Sequence, residues 1–244
     1  SLEKGNTSRA QRYYTRLIAR FPYGPLTEQS QIELAYAYYK GGSPEEATST
    51  IARFVRTYPA HAHIDYMYYL RGLINFDRHE GFVLRIAKLD PTQREQVSLR
   101  QSFTDFNDLI QRYPNSRYAA DAREKMVHLR NQMARHDLNV AVFYLERRAW
   151  VAAANRGKYI LENYPQSVYD ADALAVMSEA YQRLGEVDLA TDSRAVLELN
   201  YPDHPYLHGS WPSERSWWRK LSPIGSGTRH YYGNERIEAA KSSS

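Results

Sequence analysis

Cysteine is missing from all 244 residues, which excludes disulfides and thiolate zinc sites while leaving the compartment open. Also missing is any apolar run near the roughly 18–20 residues that a helix needs to cross a bilayer. No secretory signal opens the chain at Ser1, as expected of a processed or trimmed polypeptide. Lysine is scarce, with 7 against 25 arginines, and the net charge is only +4. No uninterrupted basic tract marks a nucleic-acid arm, so no nucleic-acid partner is expected. Catalytic signatures are absent too: there is no GxSxG, P-loop, HExxH or glycine-rich dinucleotide fingerprint. His61 and His63 flank a turn without a carboxylate cluster, and Asp105 and Asp108 read as a solvated helix face. The expectation is a protein without enzymatic activity, metal or cofactor.

What is present is periodic. Hydrophobic residues make up 43% of the chain, enough for a core, and 21 tyrosines supply rings with polar tips suited to half-buried walls. Five segments end in an aromatic residue followed by proline: Phe21-Pro22, Tyr58-Pro59, Tyr113-Pro114, Tyr164-Pro165 and Tyr201-Pro202, with prolines 37, 55, 51 and 37 residues apart. Helix pairs of the tetratricopeptide (TPR) kind repeat about every 34 residues and close with proline. Read back from Pro59, Leu34, Ala35 and Tyr38 share a face of a first helix, and Ala47, Ile51 and Phe54 follow on a second. Read back from Pro165, the matching residues are Val140, Ala141, Tyr144 and Ala153. Read back from Pro202, they are Met177, Ser178, Tyr181 and Ala190, with Gly185 in the turn. In "KGGSPEE" the glycines stop one helix. Ser43 is the expected N-cap of the next, with Pro44 at its first position and Glu46 completing a capping box. Proline removes a donor and restricts its predecessor. The aromatic residue is expected to pack into the joint with the following pair.

The fold class predicted is therefore all-α, a curved TPR solenoid over 1–207 with about five pairs and about ten helices. Approximate repeats are 1–22, 23–59, 60–114, 115–165 and 166–202. Two exceed the period. In 60–114 the first helix is expected at 64–78 with Gly72 at its small position, and the second at 99–112 with Ser102. A surplus of 18 residues then falls near 79–97, where Phe82, Val83, Leu84 and Ile86 pack on the solenoid or form a contact arm. In 115–165, residues 116–135 read as an additional or lengthened helix carrying Ala119, Ala122, Met126, Leu129 and Met133. The first repeat is truncated: Ala10, Tyr14 and Leu17 fit its second helix, so its first is expected upstream of Ser1. Residues 208–244 break the period. They form a terminal cap, or a segment whose Trp211, Trp217 and Trp218 anchor on a partner.

A repeat scaffold without catalytic groups binds other chains. The first helices supply Tyr36, Tyr39, Tyr66, Tyr69 and Arg71 to one wall. Such a wall suits an extended peptide ending in an aromatic residue and a carboxylate, which Arg71 can clamp.

Four stretches carry a family resemblance: "RFPYGPLTEQSQIELAYAYYK" (20–40), "HIDYMYYLRGL" (63–73), "FTDFNDLIQRYPNSRYAADA" (103–122) and "ERRAWVAAANR" (146–156). Over about residues 5–203 the chain resembles the BamD (ComL/YfiO) lipoprotein family of the outer-membrane β-barrel assembly (BAM) machinery. The resemblance implies five TPR units and a periplasmic protein held to the outer membrane by an N-terminal lipidated cysteine. Since this chain has no cysteine, that anchor is expected upstream of Ser1. The resemblance also implies that the C-terminal repeats bind the POTRA region of BamA through the "AWVAAANR" surface. It thus assigns Arg156 to BamA, with Arg147 and Arg148 in the preceding turn. The N-terminal repeats would receive the C-terminal signal of unfolded outer-membrane proteins, and BamC and BamE are further implied partners. The implied function is a non-enzymatic scaffold that promotes barrel folding and insertion. The alternatives are a general periplasmic TPR adaptor or chaperone, and an α-solenoid cell-wall enzyme, for which no small catalytic domain is left over.

Overall fold

The computed structural model describes residues 4–85 and 93–209, and every regular element among them is helical. In order they are α1 (Lys4–Arg20), α2 (Pro25–Lys40), α3 (Pro44–Thr57), α4 (Ile64–Arg85), α5 (Gln93–Arg112), α6 (Ala119–Glu146), α7 (Trp150–Asn163), α8 (Asp170–Leu184) and α9 (Val187–Asn200). A short 3-10 turn follows at Pro205–His208. The arrangement is a TPR-like helical repeat. Its residues form two compact units, one ending at Leu129 and the other starting at Arg130. The expected apolar contacts of Phe82, Val83, Leu84 and Ile86 lie outside the residues whose side chains are described. So do Trp211, Trp217 and Trp218.

The aromatic-proline endings have one geometry. The N–H groups of Phe21, Tyr58, Tyr113, Tyr164 and Tyr201 each donate to the carbonyl four residues back, at 2.8–2.9 Å. Each is the last such bond, because proline has no N–H to continue. Tyr58 meets Phe54 and Tyr164 meets Tyr159, each within its own helix, and Tyr113 meets Tyr68 of its own pair. Phe21 leaves about half its surface exposed. A side chain at the last helical turn lies back over that turn, which accounts for the contacts within one helix.

The turn inside a pair is equally regular. The N–H groups of Ser43, Ala149 and Glu186 donate to the carbonyls of Tyr38, Tyr144 and Tyr181. Those of Gly42, Arg148 and Gly185 donate to Tyr39, Leu145 and Gln182. These are the two bonds of a Schellman cap, which needs a left-handed residue. That residue has φ +77° at Gly42, +59° at Arg148 and +82° at Gly185. The recurrent tyrosines thus mark where the first helix closes. The expected capping box at α3 does not form: Ser43 makes no side-chain cap hydrogen bond, and Pro44 alone starts the helix.

Small residues let the helices touch. Ala35, Ala47, Ala141 and Ala153 are fully buried. At Gly72 an added Cβ would lie 2.5 Å from the buried Phe106 ring, and Ser102 Oγ donates to the Gly72 carbonyl at 3.0 Å. At Gly157 it would lie 2.7 Å from Met177 and 3.0 Å from the Ala173 carbonyl. The small positions read from sequence are therefore the contact points of α4 with α5, and glycine also serves α7 against α8. The surplus of the third repeat lengthens α4 to Arg85. That of the fourth lengthens its first helix to the 28-residue α6, the second of the two readings of 116–135, and 119–146 contains neither glycine nor proline to break it. The nine α-helices among the described residues are α1, which corresponds to the second helix of the first repeat, and four complete pairs from α2–α3 to α8–α9. In the second unit, Tyr206 and Leu207 of the 3-10 turn pack on Leu174 and Leu197.

Gly72→Ala should lower stability by about 1–3 kcal/mol through overpacking against Phe106, read from denaturant unfolding; an unchanged midpoint would show that the ring gives way. Arg148→Gly should raise stability by about 0.5–1 kcal/mol, relieving a left-handed penalty of about 1–2 kcal/mol less the added chain entropy. A loss in the same assay would mean that Arg148 makes a stabilising contact larger than its strain.

Candidate functional site

The spacing of Tyr36 and Tyr39 on α2, and of Tyr66 and Tyr69 on α4, places each pair on one helix face. All four are half-buried. The Tyr36 and Tyr39 rings lie 6.2 Å apart. Tyr118, in the turn before α6, joins them: it stacks on Tyr69 at 4.7 Å and meets Tyr66 at 5.5 Å. Tyr69 reaches inward to Phe106 at 6.0 Å. The structure thus gathers the four predicted tyrosines in the first unit and adds a fifth. Nothing in the periodic pattern marked Tyr118, since it precedes a helix instead of lying on one.

The hydroxyls are used internally. Tyr39 donates to Asp77, and Tyr69 donates to Asp121 Oδ2 at 2.5 Å. Burial, followed by these carboxylates, raises the pKa of Tyr39 and Tyr69, and burial beside Tyr36 and Tyr118 raises that of Tyr66. The phenols therefore stay neutral donors. For Asp121, burial pushes upward, but the hydrogen bonds from Tyr69 and Lys125 prevail and its pKa is lowered. Cations flank this wall at both ends: Lys40, with Nζ 4.8 Å from the Tyr39 ring and 5.8 Å from Tyr36, and Arg117, with Cζ 4.8 Å from the Tyr118 ring.

Arg71 has a different setting from the clamp expected of it. Its Nε lies 2.7 Å from Asp105 Oδ1, as an ion pair without aligned hydrogen-bond geometry. Its Nη2 donates to Asp108 Oδ2 at 3.2 Å. Asp105 is 0% exposed, so the reading of a solvated face fails there. It also accepts from Asn75 at 2.8 Å and from Gln101 at 3.0 Å. Burial raises its pKa, against the opposing pull of Arg71 and the two amides. Buried carboxylates persist when paired and hydrogen-bonded. Arg71 therefore ties α4 to α5, and its guanidinium also lies over Tyr68 at 5.1 Å.

In the second unit, Arg156 on α7 pairs with Asp137 of α6, Nη1 to Oδ1 at 3.1 Å, and lies over the Tyr159 ring at 5.6 Å. Asp137 is nearly buried, and its Oδ2 has no hydrogen-bond partner. Arg147 and Arg148 are exposed in the α6–α7 turn, with Arg147 over the exposed Phe143 ring at 4.8 Å. Arg156 follows Arg148 by about two helical turns. The rings of His61 and His63 lie 5.6 Å apart and tilted by 55°, and His61 Nε2 lies 3.5 Å from Glu28. Among the described residues no group of three or more His, Asp or Glu is placed to hold a metal, and no helix is long and apolar enough to cross a membrane.

Comparison with known proteins adds the family. The YfiO family, described as outer membrane lipoprotein, matches residues 1–197. An outer membrane protein assembly factor BamD from Xylella fastidiosa (strain 9a5c) is 49% identical over 223 residues, covering 91% of this chain and 76% of that protein. The Neisseria meningitidis serogroup A protein of the same name is 41% identical over 219 residues, 89% of this chain and 82% of the relative. That of Vibrio cholerae is 37% identical over 200 residues, 82% and 83% of the two chains. With matches of that length on a TPR-like helical frame, the chain belongs to the YfiO/BamD family of outer-membrane protein assembly factors.

Proposed function

We propose that this assembly factor is a non-enzymatic scaffold with two protein-binding faces. The tyrosine wall of α2 and α4 takes the aromatic C-terminal signal of unfolded outer-membrane proteins, and the Arg156 face takes the POTRA region of BamA. The observation that carries the first assignment is the half-exposed cluster of Tyr36, Tyr39, Tyr66 and Tyr69. Its rings offer stacking area at low entropic cost, and the hydroxyls of two of them, Tyr39 and Tyr69, are already tied to Asp77 and Asp121. Lys40 beside Tyr39 and Arg117 beside Tyr118 supply cations for a terminal carboxylate. Arg71, held by Asp105 and Asp108, contributes by fixing α4 in place. For the second face, a carboxylate on BamA competes with Asp137 for Arg156, beside the exposed Phe143, Arg147 and Arg148. Holding both chains raises the local concentration of one near the other without new chemistry. BamC and BamE are further partners in this reading. Lipid attachment at the periplasmic face of the outer membrane is part of the same reading, supported by the family's description as outer membrane lipoprotein. The Trp211, Trp217 and Trp218 segment remains a candidate partner anchor.

A fluorescence titration with a barrel-protein C-terminal peptide should show binding that weakens at least tenfold when the final aromatic residue is removed, and again for Tyr66→Ala. Equal affinity for both peptides would remove the signal from this wall. Arg156→Glu should weaken binding to the purified BamA POTRA region at least tenfold with helical circular dichroism retained. The Asp137→Asn/Arg156→Gln double variant, which leaves no orphan charge, should show the same loss. Full affinity of the double variant would assign the BamA contact elsewhere.

A further inference from the structure

The first helix carries a surface that neither proposed binding face uses. Between Lys4 and Arg20 there is no acidic residue, while Arg9, Arg12, Arg16 and Arg20 recur at spacings of three, four and four. At about 100° per residue, all four fall within an arc of roughly 80°. The opposite face is the packed one. It holds the buried Thr7 and the half-buried Tyr14 and Ile18, and Gln11 beside them donates to the Ala37 carbonyl of α2 at 3.0 Å. All four arginines are exposed, and none forms an ion pair among the described residues. Elsewhere in the chain exposed helical arginines do find carboxylates, as Arg183 does Glu179 and Arg194 does Glu198. The α1 stripe is therefore a concentrated positive surface, about 16 Å long at 1.5 Å per residue.

An aromatic residue shares this surface, and more apolar groups are exposed in the chain just past its end. Tyr13, 62% exposed, falls within 40° of Arg9 on the helical wheel. At the C-terminal end, the Arg20 guanidinium lies 5.6 Å from the Phe21 ring. Just beyond, Tyr23 is 87% and Leu26 68% exposed. Arg12 and Arg16, with Gln11, Thr15 and Tyr38, border a shallow open depression of about 300 Å³. Guanidinium groups bind phosphate bidentately, basic residues gather at anionic bilayer surfaces, and tyrosine favours the headgroup level. An acidic protein would satisfy the charges but gives no reason for exposed Tyr23 and Leu26 beside them. The chain's family works at a membrane.

We propose that α1 docks on the bilayer, with Arg9, Arg12, Arg16 and Arg20 on the phosphates of anionic phospholipids and Tyr13, Tyr23 and Leu26 at headgroup depth. This contact is separate from any covalent lipid and independent of both protein-binding faces. The full 244-residue chain should co-sediment with vesicles of phosphatidylethanolamine and phosphatidylglycerol at 3:1, and not with vesicles of phosphatidylcholine. Each arginine near an anionic surface is worth about fivefold in partitioning. Arg12→Gln/Arg16→Gln should therefore reduce binding more than tenfold, and Arg12→Glu/Arg16→Glu further, with circular dichroism unchanged. The control is Arg53→Glu/Arg56→Glu, which makes the same net change on exposed residues of α3 and should stay within about twofold of the parent. Absence of binding to anionic vesicles, an equal loss in the α3 control, or a parent chain that prefers soluble polyglutamate to the vesicles would each overturn the proposal.

Discussion

Close contact between helices at residues with little or no side chain is the constraint on which the structure rests. A helix with one apolar face must bury it against a neighbour, and the energy of doing so depends on how closely the two backbones approach. Ala35, Ala47, Ala141 and Ala153 are fully buried at such contacts, and Gly72 and Gly157 leave no room for a Cβ. Around these points larger groups interlock: Phe54, Met67, Leu70, Phe106 and Leu109 in the first unit, Val142, Ile160 and Leu197 in the second. Because the core is filled by neighbours in this way, the tyrosines on α2 and α4 are not needed for it in full and can keep one side toward solvent.

Much of the frame was legible in the sequence because it follows from local backbone chemistry. Proline cannot continue a helix, and the Schellman turn needs a left-handed residue, so the ends of helices are written in single positions. Gly42 and Gly185 announce their turns; Arg148 takes the same conformation without announcing it. The absence of proline and glycine in 119–146 was equally visible, and of the two readings of that surplus, an additional or a lengthened helix, the lengthened one is found. Side-chain partners were less legible, since they depend on register between helices. Asp105 and Arg71 are 34 positions apart in sequence, and only the packing of α5 on α4 places one against the other. In the candidate site the four tyrosines were legible from their three-residue spacing. Tyr118, Asp77, Asp121 and Lys40 were not, because each reaches the wall from outside the repeating pattern.

Three arginine settings among the described residues differ in burial and partner. Arg71 is a bolt between helices, with two carboxylates in one of which no surface is exposed. Arg156 is intermediate: one contact with a nearly buried Asp137 whose second oxygen lacks a partner. The α1 arginines pair with no carboxylate among the described residues. Composition alone does not separate these roles, and an excess of arginine over lysine is consistent with each of them.

The repeated aromatic-proline stop has a consequence for how such a chain can vary. With a hard terminator after every second helix, added length in one pair is absorbed there and is not passed along as a shift of phase to its neighbours. Intervals of 55 and 51 residues therefore sit between intervals of 37 while the same terminal hydrogen bond recurs at each stop. The stops act as expansion joints: lineages can lengthen or trim one segment to suit a new contact and leave the others as they were.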